Sequence, residues 1–219
     1  MDTAAPTFRR PAPVIAFQGT DGSGKTTIIE RLPAELSHVF PADKTVCYHW
    51  RPGFLIQETK RNADGTAVDA SQPHGAKPRG FFGSLIRLAA FAADYVLGYW
   101  FRVRPHAAKG HLVIFDRYYY DFYLDKQRYR MTMPNAVLRL VQCFIPEPDI
   151  TFVLVGDAAT IYARKKEIPQ EEVQAQIDRL QALKHRFANP VTIDVNQPIP
   201  AVVNAVGTAI MEHLNRRHG

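Results

Sequence analysis

An apolar run, Pro13-Val-Ile-Ala-Phe17, leads into Gly19-Thr20-Asp21-Gly22-Ser23-Gly24-Lys25-Thr26, and a helical pattern follows over Thr26–His38. No other stretch of the chain restricts its fold as strongly. Glycines at the first and sixth positions, then Lys and Thr, match GxxxxGK[ST] at every fixed position and in the required place, after a strand and before a helix. Such glycines let the backbone wrap closely, so that successive N–H groups and the helix N-terminus point at phosphate oxygens. Lys25 is expected to reach the β- and γ-phosphates, and the Thr26 hydroxyl to ligate Mg²⁺. Gly19, Asp21, Gly22, Ser23, Gly24, Lys25, Thr26 and Thr27 are therefore the candidate nucleotide-binding residues. ATP and Mg²⁺ are the expected cofactors.

Strand and helix patterns alternate through the rest of the chain. Short β-branched or apolar runs at Thr45–Trp50, His111–Phe115, Asp149–Val155 and Val191–Val195 read as further strands. Helices are expected at Phe81–Arg104, Pro134–Phe144, from the Asp157 N-cap to Lys166, from Pro169 onward, and at Ile199–Leu214. Pro33 should kink the first helix. Alternation of this kind means a parallel α/β sheet with crossovers on both faces, in a single domain spanning residues 1–219. Ligands of such sheets bind beyond the carboxyl ends of the strands, where the glycine turn, Arg51 and Asp116 all fall. Residues 60–80 are rich in Gly, Pro, Lys and Asp without apolar periodicity and are expected to form a long mobile loop.

The formal charge of +6 is unevenly spread: residues 51–110 hold nine bases and four acids, while the flanking parts are nearly balanced. That concentration points to a local anion site. Neither a basic run nor an aromatic recognition pattern argues for nucleic acid, and phosphorylated small molecules are the expected partners. With 46% apolar and 22% charged residues, the chain is not disordered. Cys47 and Cys143 are expected to be buried thiols. Arg87 and Asp94 within the apolar stretch 81–101 argue against a membrane span, so a soluble, cytoplasmic protein with a long buried helix is expected. No histidine pair has metal-ligand spacing.

Asp116 closes a buried strand and is placed to hold Mg²⁺ through water, as a Walker-B acid does. Arg117 beside it suits bidentate pairing with a phosphate. Arg164, Lys165 and Lys166 precede Pro169, and one or two of them are expected to close over the transferring group as a lid at about 163–170.

In order and spacing, the phosphate loop with its inner acid, Arg51-Pro52-Gly53, Ala92-Ala93-Asp94, Asp116-Arg117-Tyr118 and the Arg164 cluster resemble the thymidylate kinase family over most of residues 13–215. The resemblance implies a three-layer P-loop fold with a five-stranded parallel sheet of nucleoside monophosphate kinase type, often a homodimer packed through the long helix, here 81–104. It also implies that Lys25, Asp116, Arg117 and Arg164 carry the catalysis, with Asp21 on the acceptor's sugar, Arg51 on its phosphate, Phe91 stacked on its base, and Arg117 bridging both phosphates. Two positions depart from the pattern. Tyr95 stands where the family carries an arginine that reads the thymine edge, and Tyr119–Arg130 replaces the usual serine-to-tyrosine-glutamine stretch.

Proton chemistry separates the candidate acceptors. A phosphate monoester is already nucleophilic at neutral pH, whereas an alcohol needs a base. Arg51, Arg117, Arg128 and Arg130 suit a phosphate; Asp21 and Asp121 suit a hydroxyl. Asp121 lies one helical turn past Arg117, so both can face one cleft. The acceptor is therefore read as a nucleoside monophosphate. A sugar or other non-nucleotide acceptor, of surface-polysaccharide or secondary metabolism, remains open, as does a nucleotide-binding module without acceptor chemistry. His74 is a further candidate substrate contact.

Overall fold

The computed structural model describes residues 11–55, 80–126, 129, 132–166 and 169–218. Five parallel strands form one sheet: β1 (Val14–Gln18), β2 (Thr45–His49), β3 (Leu112–Asp116), β4 (Ile150–Val155) and β5 (Pro190–Asp194), in the order β2-β3-β1-β4-β5. The strands alternate with α1 (Lys25–Glu35), α2 (Phe81–Gly98), α3 (Arg104–Ala108), α4 (Asp121–Leu124), α5 (Asn135–Gln142), α6 (Ala158–Arg164), α7 (Gln170–Leu183) and α8 (Ile199–His218).

Period-two alternation splits the core into two layers. Ile15 and Phe17 of β1, with Leu112 and Ile114 of β3, pack under α1 and α8 against Ile28, Leu32 and Val206. Val14 and Ala16, with Val113 and Phe115, face α2 and α4 against Leu88, Tyr95 and Tyr119. Both sheet faces are thus covered, which is why the central strands read as unbroken apolar runs. Phe17 pairs with Asp116 and His49 with Asp116 across the ladders. The phosphate loop, Arg51 and Asp116 therefore leave the carboxyl ends of three adjacent strands, β1, β2 and β3, and the chain departs from β1 in both directions.

Several local expectations are corrected. The first helix is shorter than Thr26–His38: α1 ends after Glu35, with Pro33 inside its last turn. The long helix passes through a π-helical turn at Tyr99–Val103 before α3. It is not wholly buried: Phe82, Ile86, Trp100 and Phe101 are exposed along it. Cys47 and Cys143 are free and exposed. Cys47 is uncovered because β2 ends the sheet, Cys143 because it follows the short surface helix α5. Asp157 sits at the N-cap of α6 without a side-chain cap bond; its own N–H donates to Asn196 Oδ1 instead. The loop 60–80 up to residue 79, including His74, lies outside the described residues, as do Arg128 and residues 167–168 of the lid. Among the described residues no helix is long and apolar enough to cross a membrane, and no cluster of metal-binding side chains occurs.

Candidate active site

The glycine turn closes β1 as its sequence requires. Gly22 and Gly24 both have φ of 86°, in the left-handed region that side chains disfavour, and a Cβ on Gly22 would come within 2.9 Å of Ile161 O on α6. The turn is therefore wedged between its own helix and α6. Lys25 is buried beneath it, its Nζ donating to Gly19 O at 2.7 Å and Thr20 O at 2.8 Å. Burial, with the Arg117 charge adding to it, pushes the Lys25 ammonium down to about 8, so it remains charged at neutral pH. Thr26 is exposed.

Asp116 ends β3 facing that loop. Its Oδ2 lies 3.3 Å from His49 Nδ1, while Oδ1 is buried and without a hydrogen-bond partner. Burial alone would raise this carboxyl, but the His49 contact and the Lys25 charge outweigh it and hold it below the ordinary carboxylate range. Thr26 and Asp116 line one cavity of about 390 Å³ with Glu30 and His49. The orphaned carboxylate oxygen of Asp116 and the exposed Thr26 hydroxyl are hard oxygen donors of the kind that Mg²⁺ takes.

Arg117 follows Asp116 with φ of 73°, its N–H donating to Phe17 O at 3.0 Å. Its guanidinium spans the crevice: Nη1 donates to Asp121 at 3.0 Å and Nη2 to Asp21 in the phosphate loop. Burial opposes the charge, but Asp121 and Asp21 outweigh it and hold Arg117 protonated.

On the far side, Arg51 leaves β2 in a turn that α2 clamps. Buried Asp94 accepts from Arg51 Nη1 at 3.2 Å, from Gly53 N at 3.0 Å and from Leu55 N. Arg102, delivered by the π-helical turn, donates to Pro52 O at 3.1 Å and Gly53 O at 2.8 Å. The hydroxyl of Tyr95 donates to Trp50 O, so this buried residue braces the turn where the family carries an arginine. Phe91 is buried beside Arg51, edge-on to Trp50 at 4.9 Å and stacked on Phe122 at 5.8 Å, while Tyr129 stacks on Trp50 at 4.6 Å.

The structure thus brings together the phosphate loop, Asp116, Arg117, Asp21, Asp121, Arg51, Phe91 and Tyr95. Arg164 closes α6, where its Nη2 donates to Val195 O at 2.9 Å, just past the end of β5. Lys165, whose Cβ would lie 3.2 Å from one added to Gly22, borders the phosphate loop. Asp121 is corrected. It is buried and hydrogen-bonded through both oxygens, which is no state for a general base. Trp50, Asp94, Arg102 and Tyr129 were not singled out as site residues from the sequence. Of these, Asp94 left a signal, as a lone acid in an otherwise apolar helix stretch and as part of the Ala92-Ala93-Asp94 motif that carries the resemblance.

Comparison with known proteins gives the family. The sequence model described as Thymidylate kinase matches residues 82–206, more than half of the chain. The chain belongs to the thymidylate kinase family. It is a P-loop kinase, a phosphotransferase. A thymidylate kinase of Bifidobacterium longum (strain DJO10A) is 29% identical over 217 residues, 90% of this chain and 97% of that one. A probable thymidylate kinase of Pyrobaculum aerophilum is 26% identical over 157 residues, 70% of this chain and 69% of that one. The crystal structure of thymidylate kinase from Ehrlichia chaffeensis superposes with a TM-score of 0.61 at 22% identity, covering 91% of this chain and 99% of that one. The last likeness concerns the thymidylate kinase fold, and the five-stranded parallel sheet matches it.

Proposed function

We propose that this thymidylate kinase family member transfers the γ-phosphoryl group of ATP to the 5′-phosphate of a nucleoside monophosphate. The observation that carries the reading is the make-up of the acceptor side. Two guanidinium groups, Arg51 and Arg117, border it, and Asp94 and Asp121, the two buried acids there, are already hydrogen-bonded. With Asp21 also paired to Arg117, an acceptor bound there meets positive charge and alignment and no uncommitted carboxylate, which suits a phosphate dianion better than an alcohol. The sugar-kinase alternative, for which Asp121 is the less expected candidate base beside Asp21, is unsupported by the relatives, and Asp121 is occupied.

Each group then has a place. The phosphate-loop amides and Lys25 hold the donor's β- and γ-phosphates, Lys25 exchanging its contacts to Gly19 O and Thr20 O for phosphate oxygens. Thr26, and Asp116 through water, would hold Mg²⁺, which supplies charge neutralisation on the donor phosphates. Arg51, fixed by Asp94, grips the acceptor phosphate, and Arg117 faces the charge that spreads over the transferred group. Asp21, half exposed at the loop, is set for the acceptor's sugar. The aromatic group of Trp50, Phe91, Phe122 and Tyr129 forms the apolar wall for its base. Lys165, whose Cβ borders Gly22, joins Arg164 as a candidate lid cation.

A coupled ADP-release assay across dTMP, dUMP, UMP, CMP, AMP and GMP tests the reading, with one acceptor strongly preferred. Silence across that panel rejects it. The apolar stripe of Phe82, Ile86, Trp100 and Phe101 is proposed to pack against a second copy, and Ile86→Lys should then shift the sedimenting species from dimer to monomer.

A further inference from the structure

Asp121 is 1% exposed, and a carboxylate out of reach of water is tolerated only where hydrogen bonds replace it. Three segments supply them. Oδ2 accepts from Arg117 Nη1 at 3.0 Å and from the Tyr129 hydroxyl at 3.0 Å. Buried Gln18 lies between Asp121 Oδ1 at 2.6 Å and Tyr118 N at 2.7 Å; the Tyr118 N–H can only donate, so we assign the amide oxygen to it and the amide nitrogen as donor to Oδ1. Gln18 is the last residue of β1 before the phosphate loop, and Arg117 the first after β3. One carboxylate therefore joins the two strand ends at the reaction crevice to the aromatic wall of the acceptor site.

Arg117 has its backbone pinned to Phe17 O and one guanidinium nitrogen held by Asp121, so the other nitrogen is delivered to Asp21. The two acids differ in exposure, 1% for the Asp121 side chain and 37% for that of Asp21. A pair open to water is weak and readily exchanged, whereas a buried, fully hydrogen-bonded one is costly to break. We propose that Asp121 is the positioning residue of Arg117. It is the fixed anchor of the guanidinium, and Asp21 is the contact given up when a phosphoryl oxygen arrives. The inference rests on the phosphotransfer reading above. It concerns a residue in the very stretch where this chain departs from its family's pattern.

A double-mutant cycle tests it. Asp121→Asn keeps the shape but turns one acceptor into a donor facing donors. In the wild-type background kcat should fall about 10- to 100-fold, with KM for ATP within about 2-fold and the fold intact by circular dichroism. In an Arg117→Ala background the same substitution should cost less than about 2-fold, because the group it positions is gone. Equal costs in both backgrounds would mean a merely structural role and overturn the proposal. A second readout needs no turnover. Nitrogen NMR of the guanidinium, assigned by its loss in Arg117→Lys, should give separate, slowly exchanging Nη signals for Arg117 in the wild type and averaged ones in Asp121→Asn. Unchanged signals also overturn the proposal. A wild type without turnover on any acceptor defeats the kinase reading instead, and the NMR comparison then decides the role of Asp121 alone.

Discussion

Replacing Asp94 by Asn tests how the acceptor side is held together. The Asp94 side chain is 0% exposed and that of Arg51 6%, so solvent screens neither charge. One carboxylate serves the guanidinium of Arg51 and the N–H groups of Gly53 and Leu55. Asn can accept on one oxygen only, which leaves a donor against donors and a buried guanidinium without its counter-charge. Removing one member of a buried pair costs about 3–5 kcal/mol, and the retained amide oxygen offsets part of that, so about 3 kcal/mol is expected. For a chain of this size that is roughly a 6–12 °C fall in Tm. The loss should also be selective. Arg51 and its turn lose their anchor, so acceptor KM should rise at least about tenfold, while the phosphate loop, on another strand, keeps its affinity for ATP. Thermal unfolding by circular dichroism, with nucleotide titration and initial rates, checks both parts. A Tm change under about 3 °C, or equal weakening of ATP and acceptor, would refute the reasoning.

Three further outcomes are expected. Because burial brings Lys25 down to about 8 from an ordinary 10.5, its charge is lost in the folded protein before the unfolded one as pH rises. This group's burial penalty is fully present below pH 8 and is relieved between about 8 and 10.5, where the unfolded chain binds the extra proton, yet phosphate binding needs the charge. Calorimetric ATP affinity should therefore weaken about tenfold from pH 7 to 9, and Lys25→Arg should flatten the profile. Gly98→Ala would put a Cβ 2.5 Å from Pro52 Cβ, and the rigid ring must move with its turn. About 1–3 kcal/mol of lost stability by denaturant unfolding is expected, with a higher acceptor KM. Thr26→Val removes the exposed hydroxyl without changing size. The Mg²⁺ concentration for half-maximal rate should rise and turnover fall about 10- to 100-fold, and EDTA should abolish turnover in the wild type.

The sequence by itself determined the parts whose physics is local. A glycine pattern between an apolar run and a helix specifies the phosphate loop, since glycine accepts φ of 86° at Gly22 and Gly24 without the strain a side chain would meet. Double-sided apolar runs specify parallel strands, and a strand ending in Asp116-Arg117 places those side chains at the crevice. What a side chain touches across the molecule was not legible there. Asp121 read as an acid one turn from Arg117, but Gln18, remote in sequence, and Tyr129, across the following loop, close over its oxygens. Arg164 read as a lid residue, with no sign that its guanidinium donates to the carbonyl of Val195 just past β5. Cys47 read as buried, but β2 lies at the sheet edge, and strand order is a property of the assembled sheet. Partners far apart along the chain meet only after loop closure and packing have fixed their distance. Tertiary structure alone therefore decided which acids are occupied, which cations face the phosphate loop, and that one helix, through Asp94, Tyr95 and Arg102, holds the turn that presents Arg51.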